Sequence, residues 1–383
     1  MSDPFNPELP SIEHLQARAR KRLPRFAYEY LSGGCFSDIN IQRNTDDIRE
    51  VLLRPYYLRD YPGSNMETEI FGKKYSAPFG VAPIGLQGLM WPRATEILAE
   101  ASHKHNIPFI LSTVGTASIE KVAELTEGEA WFQLYHPAEE EMRDKLLTRA
   151  AEAEVPVLVI LGDTPTFAYR PKEIKNGLSI PPRMSLRNIF QMCTSPTWSI
   201  TSLFAGIPEF KTMRPYIPKG LNMKHLGEFM NKTFSGRLSE DRIKAIRDKW
   251  QGKLVLKGVA TCEDMEKAVS LGVDGVIVSN HGGRQLDAGQ STIKPLAEIA
   301  KEFKGKTTIM MDSGIRSGSD VACTMASGAE FTFLGRSFMY GVGAMGKRGG
   351  EHTMIMLKRQ LQQVMEQVGC ERVEDLHKHL IAD

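Results

Sequence analysis

Short apolar runs recur along the chain from Ala77 onward, and stretches with apolar residues at three- and four-residue spacing separate them. The runs cover 77–83, 108–111, 130–134, 155–161, 253–257, 275–279, 307–312 and 331–334. Brief runs rich in Val, Ile, Leu and Phe fit strands buried on both faces, and the intervening stretches fit helices packed outside them. Eight such units predict an α/β chain that closes into a parallel (β/α)8 TIM barrel. Upstream, Ile12, Leu15, Ala19, Leu23 and Phe26 share one helical face, so 11–32 is expected to form a helical cap that stops at Gly33-Gly34. Residues 51–76 read as irregular or short-strand structure covering one end of the barrel. The whole of 1–383 is expected to form one domain, with the barrel starting near residue 77.

The polar residues that bound these runs sit at their C-terminal ends. They are Pro83-Ile84-Gly85, Ser112, Gln133 and Tyr135, Asp163, Lys257, Ser279 and His281, Asp312-Ser313-Gly314-Ile315-Arg316, and Gly335-Arg336. Each alone is a routine strand end; together they place one site at the mouth of the barrel. The densest stretch is Ser279-Asn280-His281-Gly282-Gly283-Arg284-Gln285-Leu286-Asp287, which opens directly from Gly275-Val276-Ile277-Val278. A His there can move a proton near neutral pH, and an Arg can grip a carboxylate or phosphate through two parallel hydrogen bonds. The Gly-rich segments beside Arg316 and Arg336 suit a phosphate dianion, from a phosphorylated cofactor or a phosphorylated sugar. Lys257 closes an apolar strand and needs an anionic partner if it is buried.

One connection is too long. About ninety residues separate the fourth and fifth runs, far more than a crossover needs. The helical stretch near 239–250 supplies the ordinary crossover, which leaves 177–236 as an insertion. It carries Arg183, Arg187, Lys211, Arg214, Lys219, Lys224 and Lys232 against Glu209 and Glu228, a net charge of +5. Ile189, Phe190, Met192, Trp198, Ile200, Leu203 and Phe204 are interleaved with them. Two readings remain open, a solvated lid over the site and a segment that lies on an anionic membrane surface. Pro181-Pro182, Pro196, Pro208, Pro215 and Pro218 exclude one long amphipathic helix.

The 383 residues are 42% hydrophobic and 25% charged, enough for a sizeable core and unlike a disordered chain. The net charge of +2 gives no reason to expect nucleic acid as a partner. Five cysteines without Cys-x-x-Cys spacing argue for reduced thiols and against a metal site or a disulfide frame. Residues up to Arg25 contain no apolar leader, and no run of about eighteen apolar residues spans a bilayer. A cytoplasmic protein is therefore expected, with the insertion offering peripheral attachment to the inner face of the cell membrane.

The Ser279–Asp287 nonapeptide resembles the signature of the FMN-dependent 2-hydroxy acid oxidases and dehydrogenases, and the likeness runs from about Leu23 to the C-terminus. Gly85-Leu86-Gln87-Gly88-Leu89-Met90-Trp91-Pro92 and Pro196-Thr197-Trp198-Ser199 resemble the bacterial membrane-associated dehydrogenases of that family, which act on L-lactate and (S)-mandelate. The resemblance implies bound FMN, held by Pro83, Ile84, Gly85, Ser112, Gln133, Lys257, Ser279, Asp312, Ser313, Gly314, Arg316, Gly335 and Arg336. It implies His281 as general base, Asp163 as the carboxylate that orients it, and Arg170 with Arg284 as the clamp on the substrate carboxylate. Tyr30 and Tyr135 correspond to the family's two substrate hydroxyls. Leu161 stands where the family commonly has a flavin-contacting Thr, so that contact is not carried over. Gly85 and Val114 stand where short-chain oxidases carry bulkier residues, so an acid larger than glycolate is expected. The resemblance also implies a homotetramer and leaves the electron acceptor open between membrane quinone and oxygen. A flavin-dependent isopentenyl diphosphate isomerase would share barrel and cofactor, but has no use for two clamp arginines beside His281. A non-catalytic flavin-binding protein would not need the complete set of His281, Asp163, Tyr30, Tyr135 and both arginines.

Overall fold

The computed structural model describes residues 5–178, 184–221, 223–234 and 236–381. Pro181, Pro182 and Arg183 of the insertion lie outside them, as does the side chain of Lys224.

Eight parallel strands form the barrel: β1 (Phe79–Val81), β2 (Ile110–Ser112), β3 (Trp131–Leu134), β4 (Val157–Leu161), β5 (Lys253–Val259), β6 (Gly275–Val278), β7 (Thr308–Asp312) and β8 (Phe331–Leu334). They are ordered β1-β8-β7-β6-β5-β4-β3-β2. A parallel bridge from Val81 to Phe109 closes the ring, and the Val81 N–H donates to the Pro108 carbonyl at 2.9 Å. Nearly every strand residue is buried, because the barrel interior covers one face and the helices cover the other.

The two ends of the barrel differ in chemistry. At the N-terminal end, Trp131, Phe331 and Phe333 fill the interior with ring centroids 5.4 Å apart. An antiparallel hairpin, Thr68–Ile70 with Lys73–Tyr75, adds Ile70, Phe71 and Tyr75 to that plug. The C-terminal end carries the polar strand ends and stays open.

Three N-terminal helices, α1 (Ile12–Arg22), α2 (Arg25–Ser32) and α3 (Ile39–Arg49), replace the single predicted helix over 11–32 and add to it. The break falls at Leu23, which is extended because Pro24 follows it, and the proline ring excludes helical geometry from the preceding residue. Helix α2 then crosses the open end of the barrel. Its final carbonyls point at two arginines: Arg284 donates to Tyr30 and Gly33, and Arg336 donates to Leu31 and Gly33, all at 2.7–3.0 Å. Guanidinium groups suit this end because unpaired carbonyls concentrate negative potential there.

The insertion folds as helices Leu186–Cys193 and Pro196–Ala205, a 3-10 turn at Arg214–Tyr216 and helix Met223–Thr233. Trp198, grouped by sequence with the membrane-facing aromatics, instead faces inward. It is 7% exposed, donates through Nε1 to the Met90 carbonyl at 3.0 Å and meets Phe26 of α2 edge-on. Leu186, Phe190, Leu203, Phe204 and Ile207 are 68–88% exposed. Of the basic residues, Lys211 pairs with Glu96 and Arg214 with Glu209.

Helix Gly318–Ala326, which follows β7, presses its first residue onto the C-terminal helix Gly349–Val368. A Cβ at Gly318 would lie 2.2 Å from the Leu361 backbone nitrogen and 2.6 Å from the Gln360 carbonyl carbon. Backbone cannot yield as a side-chain tip can, so Gly318→Ala is expected to cost roughly 1–3 kcal/mol of stability. Urea unfolding followed by circular dichroism checks this as a lowered midpoint at constant slope.

Candidate active site

The peptide after β6 sets the geometry of the mouth. His281 (φ 57°), Gly282 (φ 67°) and Gly283 (φ 72°) are consecutive left-handed residues. The glycines are needed twice over: a Cβ on Gly282 would meet Arg336 Nη1 at 2.7 Å, and one on Gly283 would meet the Ile41 nitrogen at 2.7 Å. His281 accepts the left-handed conformation without that freedom, and a strained residue held at a site is a feature of catalytic machinery. Asn280 braces the turn. Its side chain exchanges two hydrogen bonds with Asn44 of α3 at 2.7 and 2.9 Å, and its Oδ1 receives the Gly283 N–H at 3.0 Å.

The turn presents His281 to Asp163, with Nδ1 and Oδ1 3.0 Å apart. Its other ring nitrogen is left for the cavity that His281 lines. Burial pulls the His281 pKa down, against the opposing pull of Asp163, so the ring is neutral at neutral pH and able to accept a proton. Burial alone would raise the Asp163 pKa, but Lys257 and His281 outweigh it and hold the carboxyl at about 2. Lys257 lies 3.6 Å from Asp163 and 3.1 Å from Asp312, and donates to Ser279 Oγ at 2.7 Å. Burial lowers its pKa, yet the two carboxylates prevail and raise it, so the ammonium stays charged. β5 does not stop at Lys257 as the sequence suggested. It runs on to Val259 through a register shift, with Gly258 at φ 101°, and a Cβ on Gly258 would strike Asp163 at 2.6 Å. The bulge is what lets Asp163 sit beside Lys257.

Opposite the histidine stand the two predicted clamp residues. Arg170 donates to the Arg284 carbonyl at 3.2 Å and to Gln285 Oε1 at 2.9 Å, and the Arg284 guanidinium lies over the Tyr30 ring at 5.1 Å. Glu173, which sequence reading missed, links them: its Oε1 is 2.5 Å from Arg284 and 3.5 Å from Arg170. Its position three residues after Arg170 was the available signal. Tyr30 and Tyr135 line the same cavity, and burial raises both phenol pKa values, so both remain hydroxyl donors.

One cavity of about 1790 Å³ joins Tyr30, Tyr135, Arg170, His281 and Arg284 to Pro83, Ile84, Gly85, Gln133, Lys257, the Asp312–Arg316 loop and Gly335-Arg336. Asp163, Ser112 and Ser279 are placed behind its wall. Ser112 donates to Gln133 Oε1 at 2.9 Å, and Ser279 holds Lys257 and receives the His281 N–H at 3.1 Å. Two observations fit this cavity to a flavin mononucleotide. Arg316 and Arg336 are half-buried cations whose guanidinium groups have no carboxylate within ion-pair distance among the described residues and donate only to carbonyls. A phosphate dianion at the adjoining helix N-termini supplies the missing charge. Gln133 Nε2 is buried without a partner, a donor suited to a polar ring edge.

The Asp163 carboxyl is held below its ordinary value, so its stabilisation is complete above about pH 4 and lost as pH falls toward about 2. Asp163→Asn lacks that contribution, on the order of 2 kcal/mol. The stability gap between wild type and variant, measured by urea unfolding at a series of pH values, is expected to narrow across that window.

The chain matches the FMN-dependent dehydrogenase family over residues 19–383. It is 37% identical over 364 residues to an L-lactate dehydrogenase of Vibrio parahaemolyticus serotype O3:K6, covering 95% of this chain and 96% of that protein. It is 33% identical over 367 residues to an (S)-mandelate dehydrogenase of Pseudomonas putida, covering 96% and 92%. A crystal structure of a monotopic membrane protein, (S)-mandelate dehydrogenase, superposes with a TM-score of 0.91 at 31% identity, covering 97% of this chain and 99% of that one. With its barrel, its uncompensated cations and relatives matched along nearly its whole length, the chain belongs to the FMN-dependent dehydrogenase family and is an FMN-dependent 2-hydroxy acid dehydrogenase.

Proposed function

We propose that the protein oxidises an L-2-hydroxy monocarboxylic acid of lactate to mandelate size, and that it works at a membrane surface with quinone as acceptor. The observation that carries the first half is the placement of His281, backed by Asp163 at 3.0 Å, and the Arg170–Arg284 pair on one cavity. The arginines hold the substrate carboxylate, and Tyr30 and Tyr135 donate to the carboxylate and the reacting oxygen. Neutral His281 takes a proton on its open nitrogen, and the Asp163 carboxylate stabilises the imidazolium that results. When bound, FMN supplies the acceptor for the two electrons that leave the substrate α-carbon. Lys257 would offer a fixed cation to the negative charge that the bound group gains on reduction. Room for a large side chain is supported by the cavity that Gly85 and Val114 both line; Gly85 itself packs so closely that an added Cβ would meet Val114 at 2.8 Å.

Anaerobic mixing with L-lactate, (S)-mandelate and glycolate, followed by flavin absorbance, tests this half. Bleaching by lactate or mandelate ahead of glycolate is expected. His281→Gln is expected to retain flavin and slow its reduction by at least about a hundredfold. Scarcely altered reduction would remove His281 from the mechanism.

The membrane half rests on the exposed apolar face of the insertion and on the relative described as a monotopic membrane protein. Five exposed side chains, Leu186, Phe190, Leu203, Phe204 and Ile207, would contribute on the order of 10 kcal/mol if fully buried. Each basic residue adds only about 1 kcal/mol near an anionic surface. Docking is therefore expected to be mainly apolar. The protein should float with liposomes in high salt as well as low, while Phe190→Asp with Phe204→Asp should stay in the soluble fraction and still reduce an artificial dye. A wild-type protein that remains soluble and reoxidises rapidly in air would instead be a soluble oxygen-reducing oxidase.

A further inference from the structure

The clamp contains a third charged group that the reaction does not require. Glu173 is the fourth residue of the Arg170-Pro171-Lys172-Glu173 segment, and its carboxylate is shared between the two guanidinium groups. All three side chains are mostly buried, at 15%, 12% and 15% exposed for Arg170, Glu173 and Arg284. The other hydrogen-bond acceptors around both arginines are neutral: the Tyr30, Gly33 and Arg284 carbonyls and Gln285 Oε1. Two guanidinium charges against one carboxylate leave the clamp at +1, which one substrate carboxylate cancels. On the far side of the mouth Lys257 is outnumbered by Asp163 and Asp312, so no surplus positive charge there welcomes a second anion.

We propose that Glu173 is the resident counter-ion of the Arg170–Arg284 clamp, a positioning and specificity residue that restricts the site to 2-hydroxy acids with a single carboxylate. The proposal rests on the 2-hydroxy acid reading above and adds the charge class of the substrate. The physical reason is charge balance in a poorly solvated site. A dianionic acid brings one negative charge more than the clamp can neutralise, and an uncompensated charge in such a place is costly. Glu173→Gln keeps the shape and an acceptor oxygen while raising the clamp to +2.

The test compares L-lactate with L-malate on the flavin-loaded full chain, and titrates flavin absorbance with the unreactive propanoate and succinate. In Glu173→Gln the malate-to-lactate ratio of kcat/KM is expected to rise at least about tenfold, the scale of one unit charge at several ångström in a medium of effective dielectric near 20. The change should appear in KM, and the succinate-to-propanoate affinity ratio should shift alike. Glu173→Asp, which keeps the charge, should keep the wild-type ratios. A brace without a charge role would lower all four ligands together, and unchanged ratios in Glu173→Gln overturn the proposal. If Glu173→Gln does not fold with flavin, Glu173→Ala makes the same comparison. In the wild-type protein itself, tighter binding of succinate than of propanoate overturns the proposal whichever variant folds. If the wild type oxidises no 2-hydroxy acid, the functional reading fails, while the titration still reports the clamp without turnover.

Discussion

Charge burial at the barrel mouth is the constraint on which the structure depends. Asp163, Lys257, Asp312, Arg170, Glu173, Arg284, Arg316 and Arg336 all lie in or behind one cavity wall. Removing such groups from water costs several kcal/mol each unless a partner stands in hydrogen-bond reach. The fold answers in three ways. Lys257 is shared by two carboxylates, the clamp arginines share Glu173, and Arg336 is ringed by the Leu31, Gly33 and Gly282 carbonyls. Carbonyl dipoles solvate a guanidinium but do not neutralise it. Burial, reinforced by Arg284 and Arg316, pulls the Arg336 pKa to about 9. Phosphate binding therefore completes the protein's own electrostatics, and FMN should stabilise the fold as any ligand specific to the native state does.

The same constraint explains why one helix outside the barrel belongs to the site. Helix α2 is too short to hold its position by propensity, and its C-terminal carbonyls would be unpaired over an open cavity. Arg284 and Arg336 supply the missing donors, and in doing so they place Tyr30 over the clamp. Arg284 thus serves the helix end as well as the proposed clamp on the substrate. The floor contributes by contrast: the Trp131–Phe331–Phe333 plug denies water a route through the barrel from below.

The eight strands were legible because burial on both faces leaves continuous apolar runs, and the polar mouth was legible because all the runs end in polar residues at the same end, although each ending alone is routine. What escaped depended on contacts between segments remote in sequence. The Gly258 bulge shows only when Asp163 is packed against it, and Ser112 and Ser279 look like lining residues until Gln133 and Lys257 claim their hydroxyls. Glu173 has an unremarkable neighbourhood in sequence, and only the fold brings Arg284 to it from 111 residues away. The break at Leu23–Pro24 was readable in principle, since proline constrains the residue before it, but the apolar periodicity runs straight across it. Trp198 was misplaced for the opposite reason: composition marks an aromatic residue as interfacial without saying which interface.

That misplacement bears on how the membrane face and the chemistry are connected. Trp198 fixes the insertion to Met90 and to Phe26, and Phe26 lies on the same helix as Tyr30, one turn earlier. Leu203 and Ile207 line the cavity as well as being exposed, so in the proposed membrane-bound state the insertion would form a thin wall between bilayer and site. An apolar acceptor dissolved in the bilayer would meet that wall before meeting water, whereas a small hydrophilic acid would need an aqueous path along the polar rim. If the proposed membrane reading holds, separate approaches for the two reactants follow from the distribution of apolar and charged residues around one cavity.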